Sequence, residues 1–137
     1  ENLSDQLLID CDSANDGCDG GYIDLVWQYL VSNGNTTEEC LSFKNFQDPT
    51  CPATCGQTNQ PLPMFRMREA YSPGSDPKDI MAEIYQFGPV EAGYVVFSDF
   101  MSYSSGVYQV TPGASFAGMH AIKLIGWGTE NGVDYWL

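Results

Sequence analysis

Gly118-Met119-His120-Ala121-Ile122-Lys123-Leu124-Ile125-Gly126-Trp127-Gly128 holds the only histidine of a 137-residue chain. Alternating and then continuous apolar residues follow it, so the spacing predicts a β-strand over residues 120–128 with His120 at its mouth. A histidine at the end of a rigid strand can be placed within the tolerance that proton transfer requires. A lone histidine is also commonly a packed or solvated side chain with no chemical part to play. The rest of the chain has to decide between the two.

Outward from that stretch, three more strands are predicted over residues 90–97, 106–110 and 133–137. Asn131-Gly132, between the 120–128 and 133–137 strands, is a tight-hairpin signal. Upstream the pattern is helical. Ser4 can cap a short helix through Ile9. Residues 22–32 carry Ile23, Val26, Trp27 and Leu30 at helical spacing, and Asn33-Gly34 ends the run. Asp76-Pro77 starts a third helix, whose apolar face is Ile80, Met81, Ile84 and Phe87 and which Gly88-Pro89 stops. Residues 35–63 are rich in Asn, Thr, Pro, Cys and Gly and read as loop. Helices and cysteines in the first half, antiparallel strands in the second: the segregation argues an α+β fold or two subdomains.

Hydrophobic residues make up 43 % of the chain, enough for a globular core. No apolar run approaches the ~20 residues that span a bilayer. Eighteen acidic against five basic residues give a net charge of −13. Such a chain repels phosphate backbones and anionic lipid, so neither nucleic acid nor membrane is an expected partner.

The five cysteines are Cys11, Cys18, Cys40, Cys51 and Cys55. Cys51 and Cys55 lack the spacing of a zinc knuckle and His120 is remote in sequence, so a disulfide framework is favoured over a metal site. That implies an oxidising compartment. An odd count leaves one cysteine needing a partner elsewhere.

Several segments occur in a fixed order: Leu3-Ser4-Asp5-Gln6-Leu7-Leu8-Ile9-Asp10-Cys11, Gly17-Cys18-Asp19-Gly20-Gly21-Tyr22, Phe87-Gly88-Pro89-Val90-Glu91, Ser98-Asp99-Phe100, Ser105-Gly106-Val107-Tyr108, the histidine stretch, and Tyr135-Trp136-Leu137. In this order they resemble the papain family of cysteine proteases, and within it the cathepsin B-like branch. The resemblance implies a helical left subdomain, here residues 1–62, and a β-barrel right subdomain, here residues 63–137, both incomplete. It implies a cysteine endopeptidase of a lysosome-like, vacuolar or extracellular compartment. Substrates would be peptides and proteins, regulators a propeptide and cystatin-like inhibitors, and no metal or organic cofactor is required.

By the same resemblance His120 is the base that pairs with a cysteine thiolate and later protonates the leaving amine. Gly20 and Gly21 permit close approach of the substrate backbone; a turn requiring glycine dihedrals explains them equally well. Tyr22 and Ile23 match positions that wall the S2 pocket and Gly93 and Ala121 its other sides, though as side chains alone they read as ordinary core or surface; Met119, also expected to bind substrate, flanks His120 where the family varies. The resemblance also implies disulfides Cys11–Cys51 and Cys40–Cys55, with Cys18 bonded to a cysteine outside these residues. Asp19 stands where the family often has Asn.

No Cys-Gly-Ser/Ala-Cys-Trp nucleophile motif occurs in the chain. The family's spacing places that cysteine about 130–150 residues before the histidine, hence before Glu1. The Asn-Ser-Trp motif that orients the histidine is expected just after Leu137. The sequence thus reads as a piece of a longer enzyme, itself inactive. The alternative is a cathepsin B-like binding or matrix protein that has lost its nucleophile; retention of His120 and Gly20-Gly21 favours the enzyme.

Two further readings concern loops. The cathepsin B-like branch includes carboxydipeptidases, in which a long loop with a His-His pair closes the primed side of the cleft. Its place here falls at residues 41–50, ten residues without histidine. An open primed side, and endopeptidase activity, follow. Asn2-Leu3-Ser4 and Asn35-Thr36-Thr37 are glycosylation sequons, and Asn35, next to Gly34 in a loop, is the better acceptor.

Overall fold

The computed structural model of the chain describes residues 2–137. They form two compact units, one ending at Tyr71 and the other spanning Ser72–Leu137. The division expected after residue 62 lies further on. Asn35 and Phe65 exchange backbone hydrogen bonds at 2.8 and 2.7 Å, and the Met67 N–H donates to the Leu30 carbonyl at 3.1 Å. Those bonds tie the segment after residue 62 to the first unit.

In the first unit, helix α1 spans Asp5–Cys11. Its N-cap, Ser4, accepts from the Leu7 N–H at 3.1 Å and donates to the Leu41 carbonyl at 2.6 Å. One hydroxyl thereby satisfies a free helix N–H and fastens the helix start to a distant loop. Helix α2 spans Ile23–Ser32 and ends at Asn33, whose N–H bonds the Tyr29 carbonyl. Leu30 is its buried residue, joining Leu7 and Leu41 among the unit's buried side chains, while Trp27 at helical spacing stays partly exposed. Residues 35–63 contain only isolated bridges, Asn35 with Phe65 and Thr54 with Pro61 among them. Two disulfides pin this irregular segment, Cys11–Cys51 across 40 residues and Cys40–Cys55 across 15. In the chain-entropy account, loops of these lengths contribute about 3–4 kcal/mol each. Cys18 is free and exposed.

Asn35 is buried, at 2 % exposure. Its Nδ2 donates to the Ser4 carbonyl at 3.0 Å and its Oδ1 accepts from the Thr36 N–H at 2.8 Å. The amide nitrogen that a glycan would need is engaged inside the fold, so the expectation of an acceptor at Asn35 is overturned. Asn2 is exposed.

In the second unit, helix α3 spans Pro77–Phe87, with Asp76 capping the Lys78 N–H and Gly88 closing the C-terminus at φ 106°. No side chain of α3 is fully buried. Strand β1, Val90–Phe97, pairs antiparallel with β2, Phe116–Leu124, and β3, Trp127–Glu130, forms a hairpin with β4, Val133–Trp136. Asn131 and Gly132 turn that hairpin with φ of 52° and 79°, the left-handed pair that a two-residue loop demands. Val96 and Leu124 are the unit's buried apolar side chains.

Two expected strands differ. The stretch 120–128 is not one strand beginning at His120. The β1 partner extends the ladder back to Phe116, and the chain leaves it after Leu124, where Ile125 and Gly126 bond Leu137 instead. Residues 106–110 form no strand. Side chains of the preceding turn hold that segment: Tyr103 donates to the Gly106 carbonyl at 2.6 Å, and Asp99 accepts from the Tyr108 hydroxyl and the Thr111 N–H, both at 2.7 Å. No helix among the described residues is long and apolar enough to cross a membrane.

Candidate active site

His120 lies in the middle of β2, directly across the ladder from Tyr94. Side chains alternate between faces along each strand, and cross-strand partners share a face. His120 therefore shares its face with Tyr94, and with the Ala92–Ile122 and Val90–Leu124 pairs, towards which the burial rises. The His120 and Tyr94 rings meet edge-on, centroids 5.9 Å apart at 63°. His120 itself is solvent-exposed.

The other predicted residues of this unit lie on the opposite face. Gly93 pairs with Ala121, and Val95 pairs with Met119. Gly93 and Ala121 are exposed, and Met119 is 74 % exposed. With no side chain at Gly93 and one methyl at Ala121, the sheet surface is bare here, flanked by the Met119 and Val95 side chains. The strand alternation brings Gly93, Met119 and Ala121 together and turns His120 the other way.

Next to His120, Tyr94 opens an aromatic group; Phe100 and Tyr108 belong to segments that carry the family resemblance, but the sequence assigned none of the group a part in the site. Tyr94 meets Phe100 edge-on at 5.6 Å; Phe100 stacks on Tyr103 at 5.6 Å and meets Tyr108 edge-on at 5.0 Å. The turn Ser98–Ser102 carries Phe100. Asp99 beside it is held below the ordinary carboxylate range, chiefly by the hydrogen bond from Tyr108 and then by the Thr111 N–H. Tyr108 is pushed up to about 12, by loss of hydration and by that same bond to Asp99. Each shift favours the hydrogen-bonded pair, a carboxylate with a neutral phenol. Tyr94 directly follows Gly93 and so lies on the other face of β1, and the partner that gives it a part in the site is non-local.

In the first unit the remaining predicted residues are contiguous: Gly20, Gly21, Tyr22 and Ile23. Gly20 follows the short turn Gly17–Asp19 with φ 115° and ψ −160°, a combination essentially reserved for glycine. Its carbonyl accepts from the Asp16 N–H at 2.9 Å. Gly21 is constrained differently: a Cβ there would overlap the Asn15 side chain. That side chain is fixed at both ends, Oδ1 accepting from the Tyr22 N–H at 2.6 Å and Nδ2 donating to Asp12 at 2.7 Å. Both glycines are exposed, Tyr22 is 67 % exposed, and Ile23 is half-buried at the start of α2. The strap Asp12–Asn15–Tyr22 shapes this stretch, and Asn15 is a second residue that sequence reasoning passed over. A short Asn in a run of Asp, Ser and Gly is a common turn-builder, so its signal was weak.

Comparisons with known proteins match nearly the whole chain. A family model described as papain family cysteine protease matches residues 1–137. Cathepsin B of Dictyostelium discoideum is 40 % identical over 151 aligned positions, covering 98 % of this chain and 48 % of the relative. Cathepsin B-like CP3 of Giardia intestinalis is 37 % identical, covering 98 % and 46 %. Among solved structures, proCathepsin B S9 from Trypanosoma congolense superposes with a TM-score of 0.84 at 34 % identity, covering 96 % of this chain and 47 % of that one. The chain spans about half the length of the curated relatives it matches. It belongs to the papain family of cysteine proteases, in the cathepsin B-like branch.

Proposed function

We propose that the protein containing this sequence is a cysteine endopeptidase and that His120 is its acid–base residue. The observation that carries the reading is the chain's only histidine, exposed on β2 between Met119 and Ala121, in a chain matched along its whole length by the papain family model.

The chemistry assigned to His120 is proton transfer in both directions. The imidazole takes the proton of a nucleophilic cysteine supplied by the longer protein, leaving thiolate and imidazolium. The thiolate attacks the scissile carbonyl; the C–N bond breaks as the imidazolium gives its proton to the leaving amine, and an acyl-thioester remains. Water then attacks the thioester carbonyl, losing a proton to the imidazole, and the acid product departs with the thiol regenerated. Gly20 and Gly21 are assigned to the substrate backbone, Tyr22, Ile23, Gly93 and Ala121 to the side chain two residues before the cleavage point, and Met119 to substrate contact beside His120.

Two disulfides support a secretory or lumenal compartment. The likeness to a proCathepsin B supports synthesis with a propeptide, and cystatin-like proteins are the inhibitors expected of such an enzyme. The test is His120→Ala in the full-length protein. A fall in kcat of several orders of magnitude at intact folding supports the reading; near-normal turnover of a fluorogenic peptide, or a wild-type protein with no peptidase activity, overturns it.

A further inference from the structure

We propose that Tyr94 is a positioning residue for His120: its ring, braced by Phe100, fixes the orientation of the imidazole. This rests on the acid–base role just assigned to His120.

Three observations carry it. Tyr94 and His120 are cross-strand partners in the β1–β2 ladder, so their side chains leave the sheet side by side on one face. The rings meet edge-on at 5.9 Å, an arrangement in which a positive ring edge faces a negative π-face. Tyr94 is in turn held by Phe100 at 5.6 Å, and Phe100 by Tyr103 and Tyr108.

An exposed imidazole on a strand is free to sample other χ1 and χ2 wells, and proton transfer from a thiol tolerates little misplacement. The neighbours sharing its face at β2 are Gly118, which offers no side chain, and Ile122. On the partner strand, Tyr94 is the group that meets the ring. The aromatic ring is the operative feature, so Phe should replace Tyr and an aliphatic residue should not.

The experiment uses the full-length protein with Tyr94→Phe, Tyr94→Leu and Phe100→Leu, with His120→Ala as reference. Readouts are kcat and KM on a fluorogenic peptide, thermal midpoint, and the rate at which iodoacetamide alkylates the nucleophile at mildly acidic pH. Tyr94→Leu is expected to lower kcat roughly three- to ten-fold at unchanged KM, the range an edge-to-face aromatic pair accounts for, and to slow alkylation by a similar factor. Tyr94→Phe is expected within about two-fold of wild type on both. A merely structural role would lower the thermal midpoint and leave the alkylation rate of the folded protein unchanged. Wild-type kcat and alkylation in Tyr94→Leu, with His120→Ala inactive, overturns the proposal and spares the acid–base reading; an active His120→Ala overturns that reading instead. If Tyr94→Leu does not fold, Phe100→Leu decides: a smaller fall in kcat at constant KM supports the proposal, and no change overturns it.

Discussion

Gln6 and Lys44, 38 positions apart, are joined at 2.7 Å, the Lys44 N–H donating to the Gln6 Oε1. The other end of the same amide donates to the Phe46 carbonyl and to Asp10 Oδ1, both at 2.8 Å. Asp10 Oδ1 also accepts from the Asp48 N–H at 2.7 Å. The loop at residues 41–50 is thus held by two polar side chains of α1, and Gln6 has no exposed surface. The Lys44–Asp48 ion pair at 3.7 Å is exposed and adds little. Gln6→Ala leaves a loop N–H and a loop carbonyl without partners and is expected to cost about 2–3 kcal/mol. Denaturant unfolding at unchanged m-value reads it, together with faster limited proteolysis within 41–50. A loss under about 0.5 kcal/mol would show that the Gln6 amide does not hold the loop.

Asp99 and Tyr108 set a pH window for the turn behind β1. Asp99 titrates lower when folded, so its contribution is complete above the ordinary carboxylate value of about 4 and disappears as pH falls through its lowered one. Tyr108 titrates higher, so its contribution is complete below about 10 and is lost as pH rises through about 12. Ultraviolet titration should show a tyrosine step at about 12, above the ordinary value of about 10. In Tyr108→Phe that late step disappears, and the Asp99 carboxyl carbon followed by NMR titrates nearer the ordinary range. An Asp99 titration unmoved by the substitution would mean that Thr111, not Tyr108, sets it.

What could be read from the chain was what local chemistry decides. Ser4 and Asp76-Pro77 announce helix starts because a cap satisfies donors within a few residues. Asn131-Gly132 announces a hairpin because few dipeptides tolerate two left-handed residues. The 90–97 strand was legible because Gly88-Pro89 isolates it from α3. What was not legible depends on remote partners. β2 begins at Phe116 only because β1 is long enough to pair with it. Residues 106–110 have strand composition, but Asp99 and Tyr103 claim their polar groups. Asn35 has a loop's sequence and a core's environment, since Ser4 and Phe65 close over it. At the site, residue type pointed to His120, while its placement in mid-strand beside Tyr94 is a matter of register.

The two glycines of Gly20-Gly21 should fail for different reasons. Gly20→Ala strains a backbone with φ 115° and is expected to cost about 1–3 kcal/mol. Gly21→Ala displaces Asn15 and breaks its bond to the Tyr22 N–H, an exposed bond whose loss is expected to cost about 1 kcal/mol. Asn15→Gly in the Gly21→Ala background removes the overlap, so the double variant should be no less stable than Asn15→Gly alone. A cycle that is simply additive would show that Gly21 does not press on Asn15.

A glycan cannot occupy Asn35 in the folded protein. Produced in a secretory host, the active protein is expected to carry none there by peptide mass mapping. Asn35→Gln should be destabilised by about 2–3 kcal/mol, because the longer amide cannot reach both the Ser4 carbonyl and the Thr36 N–H. Active, folded protein glycosylated at Asn35 would overturn the assignment of this side chain to the core.

The last expectation concerns where in a peptide the enzyme cuts. Clamping a substrate's terminal carboxylate takes fixed cationic donors, and a histidine pair on a long loop supplies them in carboxydipeptidases of this branch. Residues 41–50 carry one cation, Lys44, and Asp48 already draws on its charge at 3.7 Å. Lys44 is also a flexible point charge, lying 5.9 Å from the Phe46 ring, and a poor match for a carboxylate beside a planar, bidentate donor. The loop is short and fastened at Gln6 and Asp10, so it has little slack with which to swing over a substrate. Peptides should therefore be cut internally, with little stepwise loss of C-terminal dipeptides. Digestion of matched peptides with free and amidated C-termini, followed by mass spectrometry, separates the outcomes. Similar fragments from both are expected; dipeptides released from the free peptide and abolished by amidation would mean that a carboxylate clamp exists elsewhere in the protein.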